Sequence, residues 1–192
     1  MTISIDGGIL AGGLARRMGG QNKGLAVYNS KPMIASIANA LAPHVRQLLI
    51  NCNRDSAAFS QFCDQTVPDG IKGFQGPLAG IHALLTASDA NYVLISSCDT
   101  PLLDERYARV MLEALNNAAL QPSLVYYANC NGKTHPTHIL ASTTLSESLG
   151  ERIEQKRLRA LEWLTDMAAV PVTFDDETLF YNVNTLADFP PL

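Results

Sequence analysis

The 192-residue chain has no apolar run approaching the roughly 20 residues of a membrane-spanning helix. Its N-terminus also lacks the basic segment, long apolar core and cleavage site of a secretory signal, so a cytoplasmic protein without a membrane anchor is expected. Charged residues make up only 17% and hydrophobic ones 47%, a balance that excludes a disordered chain. The four cysteines, at 52, 63, 98 and 130, form no Cys-x-x-Cys pair and suggest no disulfide framework. Reduced thiols in a cytoplasmic compartment are their simplest account. The net charge of −4 argues against a nucleic-acid partner. No Gly-x-Ser-x-Gly occurs and no cysteine sits in a nucleophile motif, which excludes the common hydrolases. Two common phosphate loops are missing too. Gly132-Lys133-Thr134 has Tyr127 where a P-loop needs its first glycine, and no G-x-G-x-x-G stands near the N-terminus. Without repeats, low-complexity tracts or linkers, residues 1–192 are expected to form a single domain.

What is present is concentrated after the first apolar run. Leu10-Ala11-Gly12-Gly13-Leu14-Ala15-Arg16-Arg17-Met18-Gly19-Gly20-Gln21-Asn22-Lys23 places four glycines, two arginines and a lysine within fourteen residues. Glycines let backbone N–H groups approach a ligand with no Cβ in the way. Arginine adds a planar fork and lysine a mobile point charge. A strand ending in such a loop can hold a polyphosphate; the alternative is a glycine-rich surface loop with solvated arginines. Charge is uneven in the same sense. In residues 1–54 six basic residues outweigh Asp6, leaving +5 there and −9 on the rest, which suits a compact anionic ligand.

Apolar strands alternate with helical patterns. Leu48-Leu49-Ile50 and Tyr92-Val93-Leu94-Ile95 read as buried strands, too apolar to face water. Met33, Ile34, Ile37 and Leu41 share a helix face after Pro32. Asp104 is placed to cap a helix with a stripe of Tyr107, Val110, Met111, Ala114 and Leu115. Asn131-Gly132 signals a hairpin. Ile153 to Leu164 reads as one amphipathic helix, and Phe180 to Val183 as a late strand piece. The expected fold is a three-layer α/β/α sandwich on a mainly parallel twisted sheet, with a late β-hairpin. Ligands then bind beyond the carboxyl ends of the strands. The residues found there are the 11–23 loop, Asn51, Asn53 and Arg54, Pro68-Asp69-Gly70, and Cys98-Asp99-Thr100-Pro101.

Asp99 ends a buried strand, where a carboxylate can hold a hard divalent cation or merely cap a turn. Asp69 lies in a turn and, taken alone, reads as structural. Gly76-Pro77-Leu78-Ala79-Gly80 opens an apolar helix, either as a plain junction or to admit a flat ring or sugar. His135-Pro136-Thr137-His138 lacks the ligand count of a zinc site and fits better as a polar lining for a second substrate.

Together these residues resemble the molybdenum cofactor guanylyltransferase family, along nearly the whole chain. The resemblance is carried by Leu10-Ala11-Gly12-Gly13, Arg16-Arg17-Met18-Gly19-Gly20, Lys23-Gly24, Asn51-Cys52-Asn53-Arg54, Asp69, Gly76 to Gly80 and Cys98-Asp99-Thr100-Pro101. It returns at His135-Pro136-Thr137 and Asn182-Val183-Asn184-Thr185. It implies a Rossmann-like nucleotidyltransferase fold and an enzyme that joins GMP from GTP to molybdopterin, or its molybdenum form, releasing pyrophosphate with Mg²⁺. It implies an N-terminal part for GTP and a C-terminal part for molybdopterin. Leu10, Ala11, Gly12 and Gly13 resemble the GTP cradle, with Gly76 and Gly80 beside it. Lys23 and Arg17 resemble phosphate contacts and, with Asp99, the catalytic set. Asn51 and Asp69 resemble nucleotide-binding positions, Asp99 the Mg²⁺ ligand, and Asn182 and Asn184 the molybdopterin side. Asn22 departs from the Asp usual before the lysine, which removes a charge near the phosphates. Transient contacts with cofactor-delivery proteins and molybdoenzymes are also implied. The alternatives are a cytidylyltransferase or sugar-phosphate nucleotidyltransferase of the same fold, a regulatory nucleotide-binding module, or an interaction protein that hands on cofactor.

Overall fold

The computed structural model describes residues 3–12, 22–71, 76–118, 123–185 and 188. Its elements, in chain order, are β1 (Ile5–Leu10), β2 (Val27–Tyr28), β3 (Lys31–Pro32), α1 (Met33–Leu41), β4 (Leu48–Asn51), α2 (Ser56–Phe59), β5 (Gln65–Val67), α3 (Pro77–Ala87), β6 (Tyr92–Ser97), α4 (Glu105–Asn117), β7 (Val125–Cys130), β8 (Lys133–Ser142), α5 (Ser146–Glu154), α6 (Ala160–Asp166) and β9 (Val170–Phe174). Seven strands form one sheet in the order β5-β4-β1-β6-β8-β7-β9, and β2 pairs with β3 in a small separate hairpin. Only β8 runs against its neighbours in the large sheet; β5, β4, β1 and β6 are parallel, as are β7 and β9.

Successive strand residues point to opposite faces, and the sequence uses this to build two cores. Leu48, Ile50, Leu94 and Leu140 face Ile34, Ile37 and Leu41 of α1 and Tyr107, Met111 and Leu115 of α4. Leu49, Val93, Ile95, Ile139 and Ala141 face Leu78, Ile81 and Leu84 of α3, Leu149 and Ile153 of α5, and Trp163 and Leu164 of α6. The result is the expected three-layer α/β/α arrangement on a mainly parallel sheet. The late hairpin is β7–β8, turning at Asn131 (φ 49°) and Gly132 (φ 81°), both left-handed as a tight two-residue hairpin turn requires. Asp104 caps α4 through Arg106 N–H at 2.9 Å.

Gly7 and Gly8 sit in the sheet interior, where glycine is unfavourable by propensity. Close approach explains them: a Cβ on Gly7 would lie 2.7 Å from Leu48 Cδ1, and one on Gly8 2.8 Å from Leu84 Cδ1. Two local expectations are corrected. The Ile153–Leu164 stretch is two helices, because the chain turns at Lys156 (φ 61°) and buried Arg152 bonds Asp166 across the break. Phe180–Val183 is not a strand. Asp176 caps a 3₁₀ turn over Glu177–Phe180, and Val183 N–H donates to Asp99 C=O at 2.9 Å rather than to a sheet.

The sheet also buries a carboxylate at the far end of β1. Asp6 is fully buried and accepts from Arg46 Nε (3.0 Å), Gln47 Nε2 (2.9 Å) and Ser88 Oγ (2.6 Å). Burial alone would raise its pKa, but these donors outweigh it and hold the carboxyl below its ordinary value. The charged form therefore stabilises the fold at neutral pH, and that contribution is lost as pH falls through the folded-state pKa. Asp6→Asn is expected to cost about 2 kcal/mol at pH 7, the scale of charge-assisted bonds. In urea titrations the gap from wild type should narrow below about pH 4; a pH-independent gap would contradict this origin.

Candidate active site

The carboxyl ends of β1, β4, β5 and β6 open on one edge of the sheet, and two polar clusters form there. The first surrounds Asn51, the last residue of β4. Its Nδ2 donates to Val67 C=O at 3.2 Å and to Asp69 Oδ1 at 2.9 Å. Asn53 closes the other side: its Nδ2 donates to Asp69 Oδ2 at 2.7 Å, and its Oδ1 accepts from Asp69 N–H at 2.9 Å. Asp69 is thus held by two asparagines, one on each carboxylate oxygen. These bonds tie the turn in place next to Gly12, at the start of the loop after β1; the Gly12 carbonyl lies 3.5 Å from Asn53 Nδ2.

That loop begins against Asn51. Ala11 N–H donates to Asn51 C=O at 2.8 Å, and Cys98 N–H to Leu10 C=O at 3.0 Å, so the chain leaves β1 pinned on both sides. A Cβ on Gly12 would stand 2.8 Å from Asn51 Oδ1, and one on Gly80 2.5 Å from the same atom and 2.8 Å from Leu10 Cδ2. Gly12 and Gly80 are therefore glycine because the Asn51 carboxamide lies between them. Gly76 is glycine for another reason. Its surroundings are open, but at φ 68° and ψ −163° it enters α3 just before Pro77, which occupies the first helical position.

The second cluster is built on Lys23. Its ammonium donates to Asp99 Oδ2 at 2.9 Å, Asn184 Oδ1 at 2.9 Å and Asn182 Oδ1 at 3.3 Å. Lys23 and Asp99 side chains are 21% and 19% exposed, so the pair is only partly desolvated. Lys23 is delivered by a 3₁₀ turn over Lys23–Leu25, which the buried Asn22 side chain caps through Gly24 N–H at 3.4 Å. A Cβ on Gly24 would lie 3.3 Å from Cys98 Cβ and from Phe59, so the turn packs closely on the Asp99 segment. Asn22, where an acid is usual in the resembled family, has this capping role. Val183 N–H on Asp99 C=O brings the C-terminal asparagines to the same point.

Leu10, Ala11, Gly12, Asn51, Asp69 and Gly80 are therefore brought together at one cluster, and Lys23, Asp99, Asn182 and Asn184 at the other. Gly76 lies one turn away from Gly80. Gly13 and Arg17 lie outside the described residues. Asn53, expected from the sequence only to lie at the ligand-binding edge, closes this cluster by holding Asp69. Cys98, beside Asp99, is no nucleophile: burial and the neighbouring carboxylate push its thiol up to about 12.

His135 and His138 do not line the cleft. Both are buried in an aromatic cluster, His135 stacked on Phe180 at 4.2 Å and His138 edge-on to Tyr107 at 5.7 Å and Phe180 at 5.3 Å. Burial lowers the pKa of each ring, so both are neutral at pH 7. Among the described residues no group of three or more His, Cys, Asp or Glu is placed to hold a metal ion. Among them, too, no helix is long and apolar enough to cross a membrane.

Known proteins resemble the chain over the same extent. The MobA-like NTP transferase domain matches residues 7–167. Molybdenum cofactor guanylyltransferase of Haemophilus influenzae is 35% identical over 189 residues, covering 98% of this chain and 97% of that protein. The protein of the same name from Mannheimia succiniciproducens is 38% identical over 191 residues, with 98% of each covered. Among solved structures, molybdopterin-guanine dinucleotide biosynthesis protein A of Archaeoglobus fulgidus shares the fold at a TM-score of 0.77 and 21% identity, covering 96% of this chain and 94% of that one. A sheet whose parallel strands end in the Asn51 and Lys23 clusters, and relatives matched from end to end, place the chain in the molybdenum cofactor guanylyltransferase family, within the MobA-like NTP transferases.

Proposed function

We propose that the chain transfers GMP from GTP to the phosphate of molybdopterin, forming the guanine dinucleotide and releasing pyrophosphate. The observation that carries this reading is the Lys23 ammonium held among Asp99, Asn182 and Asn184 at the mouth of β1 and β6. A phosphate oxygen of the acceptor attacks the α-phosphorus of GTP. The bond to the α,β-bridging oxygen breaks, and that oxygen leaves on pyrophosphate. No covalent enzyme intermediate is needed, so positioning and charge neutralisation carry the step.

Lys23 is the mobile charge that meets the phosphates, joined by Arg17 from the loop. Asn51 and Asp69 hold the nucleotide against Leu10, Ala11, Gly12 and Gly13, with Gly76 and Gly80 at its flank. Asn182 and Asn184 orient the acceptor, which places the GTP side in the N-terminal part and the pterin side in the C-terminal part. Around Lys23 the acceptors are oxygens only, one carboxylate and two carboxamides. Hard oxygen donors with a single carboxylate suit Mg²⁺, which is usually held by one or two carboxylates together with substrate phosphates. Asp99 would hold it, and the ion would supply neutralisation of phosphate charge. On this reading the reaction takes place in the cytoplasm.

Calorimetric titration with Mg²⁺ and GTP, CTP or ATP tests the reading. GTP is expected to bind selectively, and Lys23→Ala to weaken it about 10-fold or more, as loss of one charge-assisted contact implies. Equal or tighter binding of CTP would move the assignment to a cytidylyltransferase.

A further inference from the structure

We propose that His138 is a positioning residue for the transfer reaction: through the Thr100 hydroxyl it locks the turn that carries Asp99. The inference rests on the reading of Asp99 as the carboxylate that serves nucleotide and cation. Strand β8 lies antiparallel beside β6, with Ile139 opposite Ile95. His138 therefore stands next to the point where β6 gives way to Cys98-Asp99-Thr100-Pro101.

Thr100 Oγ1 and His138 Nε2 are 3.1 Å apart, in a contact fully shielded from water. The same hydroxyl lies 3.1 Å from Ser97 C=O. With the hydroxyl proton on the Ser97 carbonyl, which can only accept, the Thr100 oxygen accepts from His138 Nε2–H, and Thr137 Oγ1, 3.4 Å from Nδ1, donates to that nitrogen. With the ring proton on Nδ1 instead, the Thr100 hydroxyl donates to Nε2, so either neutral tautomer ties Thr100 to His138.

The ring cannot rotate away. Tyr107 meets it edge-on and is itself anchored by its hydroxyl on Ile95 C=O at 2.6 Å. Phe180 and His135 close two further sides at 5.3 and 6.0 Å. The consequence falls on Asp99. Its own carbonyl is taken by Val183 N–H, and the next residue is tied to Ser97 and His138. The backbone on both sides of the Asp99 side chain is thus held, and its carboxylate faces Lys23. Outer partners that fix a ligand in this way typically account for about 10- to 100-fold in metal affinity or activity.

The test uses Thr100→Val, Thr100→Ser, His138→Leu and Asp99→Asn in the full chain. Mn²⁺ binding in the presence of a non-hydrolysable GTP analogue is followed by electron paramagnetic resonance, alongside turnover and the urea unfolding midpoint. Thr100→Val keeps the shape of the side chain and removes only the hydroxyl. It is expected to raise the half-saturating Mn²⁺ concentration and lower turnover by about 10-fold or more, while Thr100→Ser restores both. His138→Leu, if folded, should match Thr100→Val, and the double variant should lose no more than either single one. Folded Thr100→Val with wild-type Mn²⁺ affinity and turnover, beside an Asp99→Asn that loses both, overturns the positioning role. An Asp99→Asn protein that keeps both overturns instead the reading of Asp99 on which the proposal stands.

Discussion

Asp99→Asn is expected to lower GMP transfer by about 10²-fold or more, the loss seen when a group stabilising developing charge is removed. The substitution is nearly isosteric, and the new carboxamide oxygen still accepts from Lys23. What disappears is one negative charge, set 2.9 Å from an ammonium and joined on the other side by two neutral carboxamides. In the free protein the loss is small. Each side chain is only about one-fifth exposed, but the carboxamide still accepts from Lys23, so a cost of about 1 kcal/mol is expected. On the proposed reading, the same carboxylate would hold the cation on the substrate phosphates in the reacting complex. The two effects therefore separate: pyrophosphate release under saturating GTP should collapse while the unfolding midpoint barely moves. Turnover within about threefold of wild type would exclude Asp99 from the chemistry.

Gly80→Val has the other large effect, through packing. The new Cβ would enter 2.5 Å from Asn51 Oδ1 and 2.8 Å from Leu10 Cδ2. Leu10 can rotate. Asn51 cannot do so freely, because it is buried and its Nδ2 is committed to Val67 and Asp69. Moving it releases Asp69 and disturbs the start of the loop after β1. A stability loss of about 3 kcal/mol is expected, the upper part of the usual cost of overpacking. If that cluster holds the nucleotide as proposed, GTP affinity should fall about 10-fold or more, in step with the lost hydrogen bonds around Asn51. Gly76→Ala makes the contrasting control: the space is open there and only the positive-φ backbone (φ 68°, ψ −163°) resists, at about 2 kcal/mol. Denaturant midpoints and calorimetric GTP titration distinguish the two. A Gly80→Val protein as stable and as tight-binding as wild type would mean that Asn51 is free to yield.

These two residues also mark what a reader of the sequence can and cannot see. Strand ends are legible because apolar runs stop at polar residues. Leu10, Asn51 and Ser97 end β1, β4 and β6, and the residues beyond them meet at one edge as the parallel order requires. The Asn131-Gly132 turn and the Asp104 cap are legible because their chemistry is local. Contacts between distant segments are not. Gly80 reads as a small residue opening a helix, and only the fold reveals the Asn51 carboxamide against it. The histidines read as polar lining, and their burial depends on Tyr107 and Phe180, dozens of residues away in the chain. A left-handed lysine at 156 carries no sequence signal, so the helix periodicity ran on across the break. The apolar Phe180–Val183 stretch has a strand's composition, but its backbone is claimed by the Asp99 carbonyl.

The strand order sets a timetable for synthesis. Strand β1 is made first and lies near the middle of the finished sheet, yet its partners are β4 and β6, whose residues end at 51 and 97. Until about half the chain has emerged from the ribosome, one side of β1 has no strand to pair with, the exposed state in which nascent sheets stick to one another. Ile5–Leu10 is poorly suited to such adhesion. Two glycines thin its apolar surface, and Asp6 keeps an unpaired negative charge on it until Arg46, Gln47 and finally Ser88 arrive. The carboxylate that anchors the finished sheet thus also guards its earliest strand against premature association.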